Sequence, residues 1–414
     1  MANKDAVILG YDMVSPLGTD FCAQWARAEM GESGIFPLTR FSFGEDFPVK
    51  IAGQVPAFDA EPYPFLKPRE MAHWTSPIYP HALLVVHRAL ERAGLEITPD
   101  IAPRVGVTFS TAVGGLDAVL NADRLMIEKG RLPHPFTNPN SCINMVGGKV
   151  SILTGATGPI TAVITACATG CTSMAVGAMM MKQGLADVVI CGAVDFCLVE
   201  PIVAGFATMN GAYKTKEPAD PDPAAASMPF SLGRKGFVIS EGAGAVIIST
   251  EEFARAHGMD YRIAIAGWSM TSDANHFVAP NYETVNRCVR QAIDNAGVSA
   301  ADIDCINAHA TSTKVGDKVE ADMIRDVFPK VPPVTANKSM LGHAMGASSA
   351  IESILGMEGM IREKVLPTIN CEPDPEIGLP EIQAKAGSLK QEFLLKNSFG
   401  FGGCNTCIVF RRVK

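Results

Sequence analysis

The stretch AVILGYDMVS, residues 6–15, has a counterpart in IAIAGWSMTS, residues 263–272. Both are apolar runs that end in the pattern G-x-x-M-x-S with identical spacing. A short apolar run bounded by turn residues is typical of a buried β-strand. Because the same strand and the same turn pattern occur twice, the chain is predicted to contain one structural unit in two copies.

A second repeated feature follows each of these strands. ALERAGL at residues 89–95 and AIDNAGV at residues 292–298 both read as the end of an amphipathic helix that is closed by glycine. A few turn residues later, each is followed by a short apolar strand, predicted at residues 105–109 and 303–307. The order of strand, helix and strand is therefore the same in both copies.

A third repeat lies further along each copy. Residues 163–184 and residues 334–361 both predict a strand, a tight turn and a helix of small residues. The predicted fold class is therefore α/β, with two sheets covered by helices and packed on each other through a central helix layer. We place the first copy, which carries insertions, in residues 1–255 and the second copy in residues 256–414.

Composition and charge exclude several classes of protein. The 414 residues are 47% hydrophobic and 19% charged, which argues against disorder and allows a large core. Because no apolar run of about 18 residues occurs, we expect no transmembrane helix and no membrane partner. The net charge is −8, and no basic cluster is interleaved with aromatic residues. Nucleic acid is therefore not an expected partner.

The cysteines indicate the redox compartment. All 11 are scattered singly, and an odd count without a secretory context predicts reduced thiols in a cytoplasmic protein. Cys404 and Cys407 have CxxC spacing, but no second pair or neighbouring histidine accompanies them, so no metal site is predicted. The first residues read as a strand rather than as a signal peptide. Residues 216–229, rich in proline and alanine, predict a surface loop.

The segment VITACATG, residues 163–170, predicts a strand that runs into Cys167 and a helix that starts there. A thiol at a helix N-terminus is close to the positive end of the helix dipole and to unpaired N–H groups, which favour the thiolate. Cys167 is therefore a candidate nucleophile. The alternative is a small buried apolar residue, which is a common role of cysteine. Cys171, one turn later, is expected to be inert.

Two further segments carry candidate catalytic residues. INAHATST places His309 at the C-terminal edge of a strand, where side chains commonly serve a site, although a surface histidine on a loop is the alternative. ANKSMLGHAMGASS contains Lys338 and His343 on either side of a glycine. A lysine in such an apolar segment is costly unless it is paired, and Glu320 is its natural partner.

The last motif is NSFGFGGCN, residues 397–405, in which glycines alternate with Phe399 and Phe401 before the final strand. Glycine permits backbone conformations that other residues rarely adopt. Such a loop can bring backbone N–H groups to a ligand and can move an aromatic side chain.

Taken together, these motifs resemble those of the β-ketoacyl-[acyl-carrier-protein] synthases of the thiolase superfamily, in the elongating branch with a Cys-His-His centre. The resemblance extends over nearly the whole chain. The matching motifs are MVSPLG at residues 13–18, NMVGG at 144–148, TACATG at 165–170, HATSTKVGDKVE at 309–320, KSMLGHAMGA at 338–347 and NSFGFGGCN at 397–405.

The resemblance implies the duplicated thiolase fold with five layers, α-β-α-β-α, and no cofactor. It implies that Cys167 accepts an acyl chain, and that His309 and His343 bind the malonyl thioester carbonyl and promote decarboxylation. Lys338 would orient the two histidines through Glu320. The reaction would be a decarboxylative Claisen condensation with malonyl-[acyl-carrier protein] to a 3-oxoacyl-[acyl-carrier protein], in fatty-acid or polyketide-type biosynthesis.

The resemblance also assigns residues around this centre. Backbone N–H groups of Cys167 and Phe401 would form an oxyanion hole, and Phe399 and Phe401 would form an aromatic gate. Val113 would lie at the bottom of the acyl pocket. The residues expected to bind substrate are Thr311, Thr313, Val113, Phe206 and Phe237.

The implied partner is an acyl carrier protein that bears acyl or malonyl phosphopantetheine. The enzyme would be a homodimer, or a heterodimer with a ketosynthase-like subunit. An acidic enzyme can dock an acidic carrier through a local basic patch, because charges act within a Debye length of about 8–10 Å. The matching positions, each of which is otherwise an ordinary solvated charge, are Lys67, Arg69, Lys129 and Arg131.

The sequence departs from the family pattern at several places. Ala310 replaces the glycine after the first histidine, and Cys404 replaces a threonine in the glycine-rich loop. Ser231 and Lys235 replace two aspartates, and MAHWTSPIY at residues 71–79 replaces a more typical M-D-R-F. None of these departures changes Cys167 or the two histidines. They favour a specialised paralogue in a secondary-metabolite or unusual lipid pathway.

Three other functions are weighed against this one. A thiolase acting on CoA thioesters is disfavoured by the Lys338 motif and by the lack of a late second catalytic Cys-x-Gly. A non-catalytic chain-length-factor subunit lacks the nucleophile, which is present here as Cys167. A non-elongating ketosynthase typically lacks the first histidine, which is present as His309.

Overall fold

The computed structural model describes residues 6–215 and 222–413. Part of the loop predicted at residues 216–229 therefore lies outside the described residues. The described strands are β1 (Ala6–Val14), β2 (Ile35–Pro37), β3 (Ile51–Gly53), β4 (Val105–Ser110), β5 (Val188–Asp195), β6 (Gly242–Thr250), β7 (Ile263–Ser272), β8 (Cys305–Asn307), β9 (Val334–Thr335), β10 (Lys364–Val365), β11 (Gly387–Ser388), β12 (Phe393–Gly400) and β13 (Cys404–Arg412).

The described α-helices alternate with these strands. They are α1 (Phe21–Glu29), α2 (Pro68–Met71), α3 (Ile78–Ala93), α4 (Leu116–Lys129), α5 (Thr137–Ser141), α6 (Asn144–Thr154), α7 (Thr169–Lys182), α8 (Glu200–Thr208), α9 (Glu251–Ala256), α10 (Tyr282–Asn295), α11 (Lys314–Val327), α12 (Lys338–Leu341) and α13 (Met345–Arg362). None of the helices in this part of the chain is long and apolar enough to cross a membrane.

Nine strands form one mixed sheet in the order β4-β5-β6-β1-β7-β13-β12-β8-β9. The first copy supplies β4, β5, β6 and β1, and the second copy supplies β7, β13, β12, β8 and β9. Among the described residues, three pairs join the two groups, between Ala6–Ile8 of β1 and Ile263–Ile265 of β7. The two predicted sheets are therefore present and meet along one short edge.

Three separate apolar clusters define the layers. Residues of α3 and α6 pack with one face of β1, β4, β5 and β6. Residues of α10 and α11 pack with β7, β8, β12 and β13. Between them, α7 and α13 contact each other and strands of both groups. The arrangement is the five-layer thiolase fold, with two helices in the central layer.

The repeat predicted from the sequence has a structural basis in two glycines. A Cβ on Gly10 of β1 would lie 2.4 Å from Ala89 O of α3, and a Cβ on Gly267 of β7 would lie 2.5 Å from Ala292 O of α10. The repeated glycine of each strand therefore contacts the repeated helix of the same copy. In both strands the register with the neighbouring strand skips one residue just before the glycine.

One predicted element is absent. Residues 163–165, the start of the strand expected to run into Cys167, form neither helix nor strand. This segment lies beside the edge strand β4, to which Ile160 makes one isolated bridge. Thr161 N still donates to Val107 O at 3.0 Å, but the chain then leaves the sheet.

Candidate active site

A cavity of about 350 Å³ lies between the two copies. It is lined by Cys167 of the first copy and by His309 and His343 of the second. Cys167 sits in a 3₁₀ turn, Ala166–Ala168, that precedes α7. His309 follows β8, and His343 lies between α12 and α13. The fold thus brings together three residues that are far apart in sequence.

The surroundings of Cys167 position a nucleophile. Its Sγ lies 3.1 Å from Nε2 of His343. Ala166, the preceding residue, has a φ of 48°, in the left-handed region that is unusual for a non-glycine residue. Backbone strain of this kind is commonly found at functional sites. The loop after β12 packs closely here, since a Cβ on Gly400 would lie 2.3 Å from Thr165 O.

The local backbone dipoles favour the Cys167 thiolate, as expected, but burial opposes them more strongly. Burial raises the pKa of Cys167 to about 11, although the backbone N–H groups of Phe401 and of Cys167 itself oppose the rise. Because α7 begins only at Thr169, the thiol is one turn removed from a regular helix N-terminus. Loss of solvation therefore outweighs the local dipoles and favours the thiol form of Cys167.

The environment of His343 favours a neutral imidazole beside the thiol. Burial lowers its pKa well below the ordinary value, and the nearby ammonium groups of Lys338 and Lys396 lower it further. The imidazole is therefore neutral and can act as a base. Its Nδ1 lies 3.0 Å from Oγ of Ser348, which fixes the ring orientation.

His309 is held by its backbone. Its N–H donates to Oε1 of Glu320 at 2.9 Å, and the N–H of Ala310 donates to Oε2 of the same carboxylate at 2.7 Å. The His309 ring lies 5.8 Å from the His343 ring at 85°. Burial also lowers the pKa of His309 well below the ordinary value. Two neutral imidazoles therefore face the same cavity.

The substitution of glycine by Ala310 causes no backbone strain. The positive φ in this loop belongs to Ser312, at 69°. Ser312 lies two residues after Ala310, so the backbone at position 310 does not require glycine.

The predicted pairing of Lys338 with Glu320 is wrong. Nζ of Lys338 lies 2.6 Å from Oε1 of Glu352, on α13, and donates to His309 O at 2.6 Å. The Glu320 carboxylate is instead occupied by backbone N–H groups and by Nδ2 of Asn397 at 3.0 Å. Lys338 therefore reaches His309 through the main chain, with Glu352 as its counter-ion.

Two charged residues of the site were missed in the sequence. Glu352 stands in the small-residue helix α13, and Lys396 stands in the apolar strand β12, with Nζ 2.5 Å from Oε2 of Glu352. Lys396 is the single charge of β12, and Glu352 lies in a run of small and apolar residues within α13, where a buried charge requires a partner. That signal was available for both residues, but their pairing across helix and strand required the fold.

The other predicted site residues fall into two groups. Thr311, Thr313, Phe237, Phe399 and Phe401 line the cavity. Val113 and Phe206 do not line it. They pack in an apolar cluster that also contains Phe401 and Met345, behind the cavity wall.

The loop that carries Val113 is tied to the centre of the molecule. The carboxylate of Asp195 accepts hydrogen bonds from Val113 N at 3.0 Å and from Thr111 Oγ1 at 2.7 Å. It also accepts from Ala347 N, near the start of α13. Burial raises the pKa of Asp195 to about 6.

The four predicted docking residues are exposed. Lys67 and Arg69 lie at the start of α2, and Lys129 and Arg131 lie at the end of α4. In the described residues, no group of three or more His, Cys, Asp or Glu side chains could hold a metal ion.

The sequence matches two family descriptions. Beta-ketoacyl synthase, N-terminal domain, covers residues 3–254, and Beta-ketoacyl synthase, C-terminal domain, covers residues 263–372. The chain is 35% identical over 418 residues to 3-oxoacyl-[acyl-carrier-protein] synthase 2 of Staphylococcus aureus (strain COL), covering 99% of both chains. It is 33% identical over 425 residues to the protein of the same name from Vibrio cholerae, covering 100% of both.

Solved structures agree with these matches. A beta-ketoacyl synthase from Burkholderia phymatum STM815 superposes over 100% of both chains with a TM-score of 0.91 and 27% identity. The ishigamide ketosynthase/chain length factor superposes over 100% of both chains with a TM-score of 0.89 and 28% identity. With the site geometry and full-length coverage in agreement, the chain belongs to the β-ketoacyl synthase family.

Proposed function

We propose that the protein condenses a Cys167-bound acyl group with malonyl-[acyl-carrier protein] and releases CO₂ and a 3-oxoacyl-[acyl-carrier protein]. The observation that carries this proposal is one thiol that lies 3.1 Å from a neutral imidazole, with a second neutral imidazole on the same cavity. The activity is that of a β-ketoacyl synthase in fatty-acid or polyketide-type biosynthesis.

In the first half-reaction, Sγ of Cys167 attacks the carbonyl of an acyl thioester on the carrier. The thiol proton passes through Nε2 of His343 to the departing phosphopantetheine sulfur. A covalent acyl-enzyme of this kind divides one difficult step into two easier ones. The backbone N–H groups of Cys167 and Phe401, which both act on Sγ, would hold the developing oxyanion.

In the second half-reaction, malonyl-carrier protein enters and its carboxylate leaves as CO₂. The electron pair of the broken C–C bond forms an enolate whose oxygen accepts a hydrogen bond from His309. It accepts a second from His343 in the tautomer with the proton on Nε2, in which Oγ of Ser348 donates to Nδ1. The enolate carbon then attacks the acyl carbonyl, and Cys167 leaves as a thiolate that takes up a proton from solvent. Donors fixed where negative charge develops are effective because they need no reorganisation.

Residues around the centre have supporting roles. Thr311, Thr313 and Phe237 on the cavity wall would contact the phosphopantetheine arm, and Val113 and Phe206 would line the far end of the acyl chain. Phe399 and Phe401 would form the gate between the two half-reactions, since Phe399 lies 5.7 Å from the His309 ring.

The proposed partners are an acyl carrier protein and a second subunit. A solved complex described as a type II polyketide acyl-carrier protein with its ketosynthase has 26% identity to this chain and a TM-score of 0.88. Ile160, 50% exposed, bridges to the edge strand β4, and Ile164, 44% exposed, follows four residues later. We expect this apolar edge to pair with a second copy of the chain or with a ketosynthase-like subunit.

The proposed location is the cytoplasm. All 11 cysteines are free of disulfide bonds, and six of them are fully buried among apolar residues. Free thiols persist in a reducing compartment.

The test is incubation with an acyl-carrier thioester and malonyl-carrier protein, read by intact-protein mass spectrometry. Wild-type protein should gain the acyl mass and then release a two-carbon-longer 3-oxoacyl carrier. Cys167→Ala should gain no acyl mass, whereas Cys171→Ala, its matched control, should still be acylated. Acylation of Cys167→Ala and not of Cys171→Ala would overturn the assignment of the nucleophile. Acceptance of CoA thioesters alone would favour a thiolase, and acylation without CO₂ release a non-elongating enzyme.

A further inference from the structure

Lys396 is a fully buried cation in the middle of β12. Its side chain is 0% exposed, and its neighbours in sequence, Leu395 and Asn397, are buried as well. Burying an ammonium group is costly unless it is paired and hydrogen-bonded. Nζ lies 2.5 Å from Oε2 of Glu352 and 3.4 Å from Ala308 O. Both partners belong to elements that lead into the catalytic centre.

Lys396 and Lys338 hold Glu352 between them. Oε1 of Glu352 lies 2.6 Å from Nζ of Lys338, and Oε2 lies 2.5 Å from Nζ of Lys396. The two ammonium groups also contact two consecutive carbonyls, because Lys338 donates to His309 O and Lys396 donates to Ala308 O. The backbone that carries His309 is therefore fixed on the carbonyl side by two lysines.

The charges around His309 are balanced only when Lys396 is included. The groups that face it are the ammonium of Lys338 from α12, the carboxylate of Glu320 from α11, the carboxylate of Glu352 from α13, the ammonium of Lys396 from β12, the His343 imidazole and the Cys167 thiol. Two cations thus match two anions, and both imidazoles remain neutral. The charge of Lys396 contributes to the lowered pKa of His309 and of His343.

We infer that Lys396 is a positioning residue for the decarboxylation step. It acts on His309 and His343 through Glu352 and the Ala308 carbonyl. This inference rests on the proposed condensing function. Lys396 does not line the cavity and contacts no substrate. Its role is to keep the two imidazoles neutral and the His309 backbone in place.

Neutrality matters for the chemistry. An imidazolium beside the malonyl carboxylate would form an ion pair that is lost when neutral CO₂ leaves, so the ground state would be stabilised and the step slowed. An imidazolium at His343 also could not accept the thiol proton. Activity should therefore fall as the pH falls through the imidazole pKa values.

The variants Lys396→Met and Lys396→Gln separate the two parts of this role. Methionine removes both the charge and the donor, whereas glutamine removes the charge and keeps an N–H donor. Loss of the charge leaves the two carboxylates in excess, so the imidazole pKa values should rise. The acid limb is the pH range in which the rate of CO₂ release falls as the pH is lowered. We expect it to move up by roughly one pH unit in both variants. The rate at its optimum should fall roughly 10-fold in Lys396→Met and less in Lys396→Gln.

Two comparisons exclude a merely structural effect. Leu395→Ala truncates the adjacent buried residue of the same strand, which faces the outer apolar cluster. It should lower stability without moving the acid limb. The double variant Lys396→Met with Glu352→Gln restores the balance of charge, so its acid limb should return toward that of the wild type.

The measurements are CO₂ release and Cys167 acylation against pH, with thermal unfolding of each variant. If the wild type is active and its acid limb is unchanged in Lys396→Met and Lys396→Gln, the role of Lys396 is overturned and the proposed function stands. The same would follow if Leu395→Ala moved the limb equally. A wild type that neither becomes acylated nor releases CO₂ would instead overturn the proposed function.

Discussion

At the scale of single residues, the cavity combines a thiol of raised pKa with two imidazoles of lowered pKa. Burial causes all three shifts, because it disfavours the charged form of a thiol and of an imidazole alike. Burial therefore favours the uncharged form of all three groups.

The two half-reactions should depend differently on the histidines. His309→Ala should leave acylation of Cys167 detectable and suppress CO₂ release, because a donor to the enolate oxygen matters only once charge develops there. Loss of one such donor typically costs about 10²–10³ in rate. His343→Ala should impair both half-reactions, with the larger effect on CO₂ release. The measurements are single-turnover acylation by mass spectrometry and release of labelled CO₂.

Phe253→Leu, a buried substitution far from the centre, serves as a control for general destabilisation. If His309→Ala slowed acylation as much as CO₂ release, the enolate role of His309 would have to be abandoned in favour of a folding defect.

The sequence was sufficient to predict which residues meet at the centre and insufficient to predict how they are paired. Cys167, His309 and His343 were found because their motifs keep local spacing. The counter-ion of Lys338 was assigned wrongly, because Glu320 belongs to one of the matching motifs and was chosen for that reason. Its oxygens instead accept hydrogen bonds from the N–H groups of His309 and Ala310. A choice between two buried carboxylates depends on packing between α11, α12 and α13, which no local pattern encodes.

At the scale of secondary-structure elements, the repeat makes a strong prediction about two glycines. Gly10→Ala and Gly267→Ala should each lower the free energy of unfolding, because the new Cβ would lie within 2.6 Å of helix backbone atoms in both copies. Overpacking of this kind typically costs about 1–3 kcal/mol. Urea unfolding followed by circular dichroism measures the change.

The matched control is Gly44→Ala, since a Cβ there meets no atom within 4 Å. It should change stability by less than about 0.5 kcal/mol. A loss at Gly10 but none at Gly267 would mean that the close approach of strand and helix is required in only one copy.

The loop between β4 and α4 should determine acyl chain length through Val113. Val113→Phe adds a ring to the apolar cluster behind the cavity wall, and overpacking there costs about 1–3 kcal/mol. A long acyl chain must displace the ring, whereas a short chain never reaches it. We expect discrimination of about 10-fold or more against long chains, since 1.4 kcal/mol corresponds to about a factor of ten.

The measurement is the acylation rate with carrier thioesters of increasing length. Ile202→Phe, in the same cluster but on α8, provides a comparison at another wall of the cluster. A uniform fall of Val113→Phe across all lengths would place Val113 away from the end of the acyl chain.

The elements themselves were largely predictable. The repeated strands and helices were read correctly because their glycines and apolar faces recur. The strand expected before Cys167 was wrong, since apolar β-branched residues at 163 and 164 resemble a strand but lie beyond the last bridge to β4. Propensity alone could not distinguish an edge segment that leaves the sheet from one that continues it.

At the scale of the whole molecule, the site belongs to neither copy alone. The first copy supplies Cys167, and the second supplies His309 and His343. The helices α7 and α13 hold the two copies together, with Gly170 packed so closely that a Cβ would lie 2.5 Å from Ala350 N. The division at residues 255 and 256 therefore stays a prediction about sequence repeats, because the apolar core between the copies is shared.

The chain has a net charge of −8, and its proposed partner, the acyl carrier protein, is also acidic. Local charge must then outweigh total charge, which is possible because screening confines each interaction to about 8–10 Å. Lys129 and Arg131 are exposed, and the nearby Ile127 and Leu132, 76% and 86% exposed, add apolar contact area. The double variant Lys129→Glu with Arg131→Glu should raise the KM for acyl-carrier protein roughly 10-fold and leave kcat almost unchanged, because rim charges act mainly on association.

The control for this variant is Lys385→Glu with Lys390→Glu, which changes the total charge equally at exposed positions in another part of the chain. If local charge decides docking, only the first pair affects KM, and the difference between the two variants shrinks as salt is added. A small acyl thioester without a carrier should be used equally well by both variants, since it needs the cavity and not the surface. An equal rise of KM in both pairs would mean that total charge governs the encounter, and the docking patch would have to be sought elsewhere.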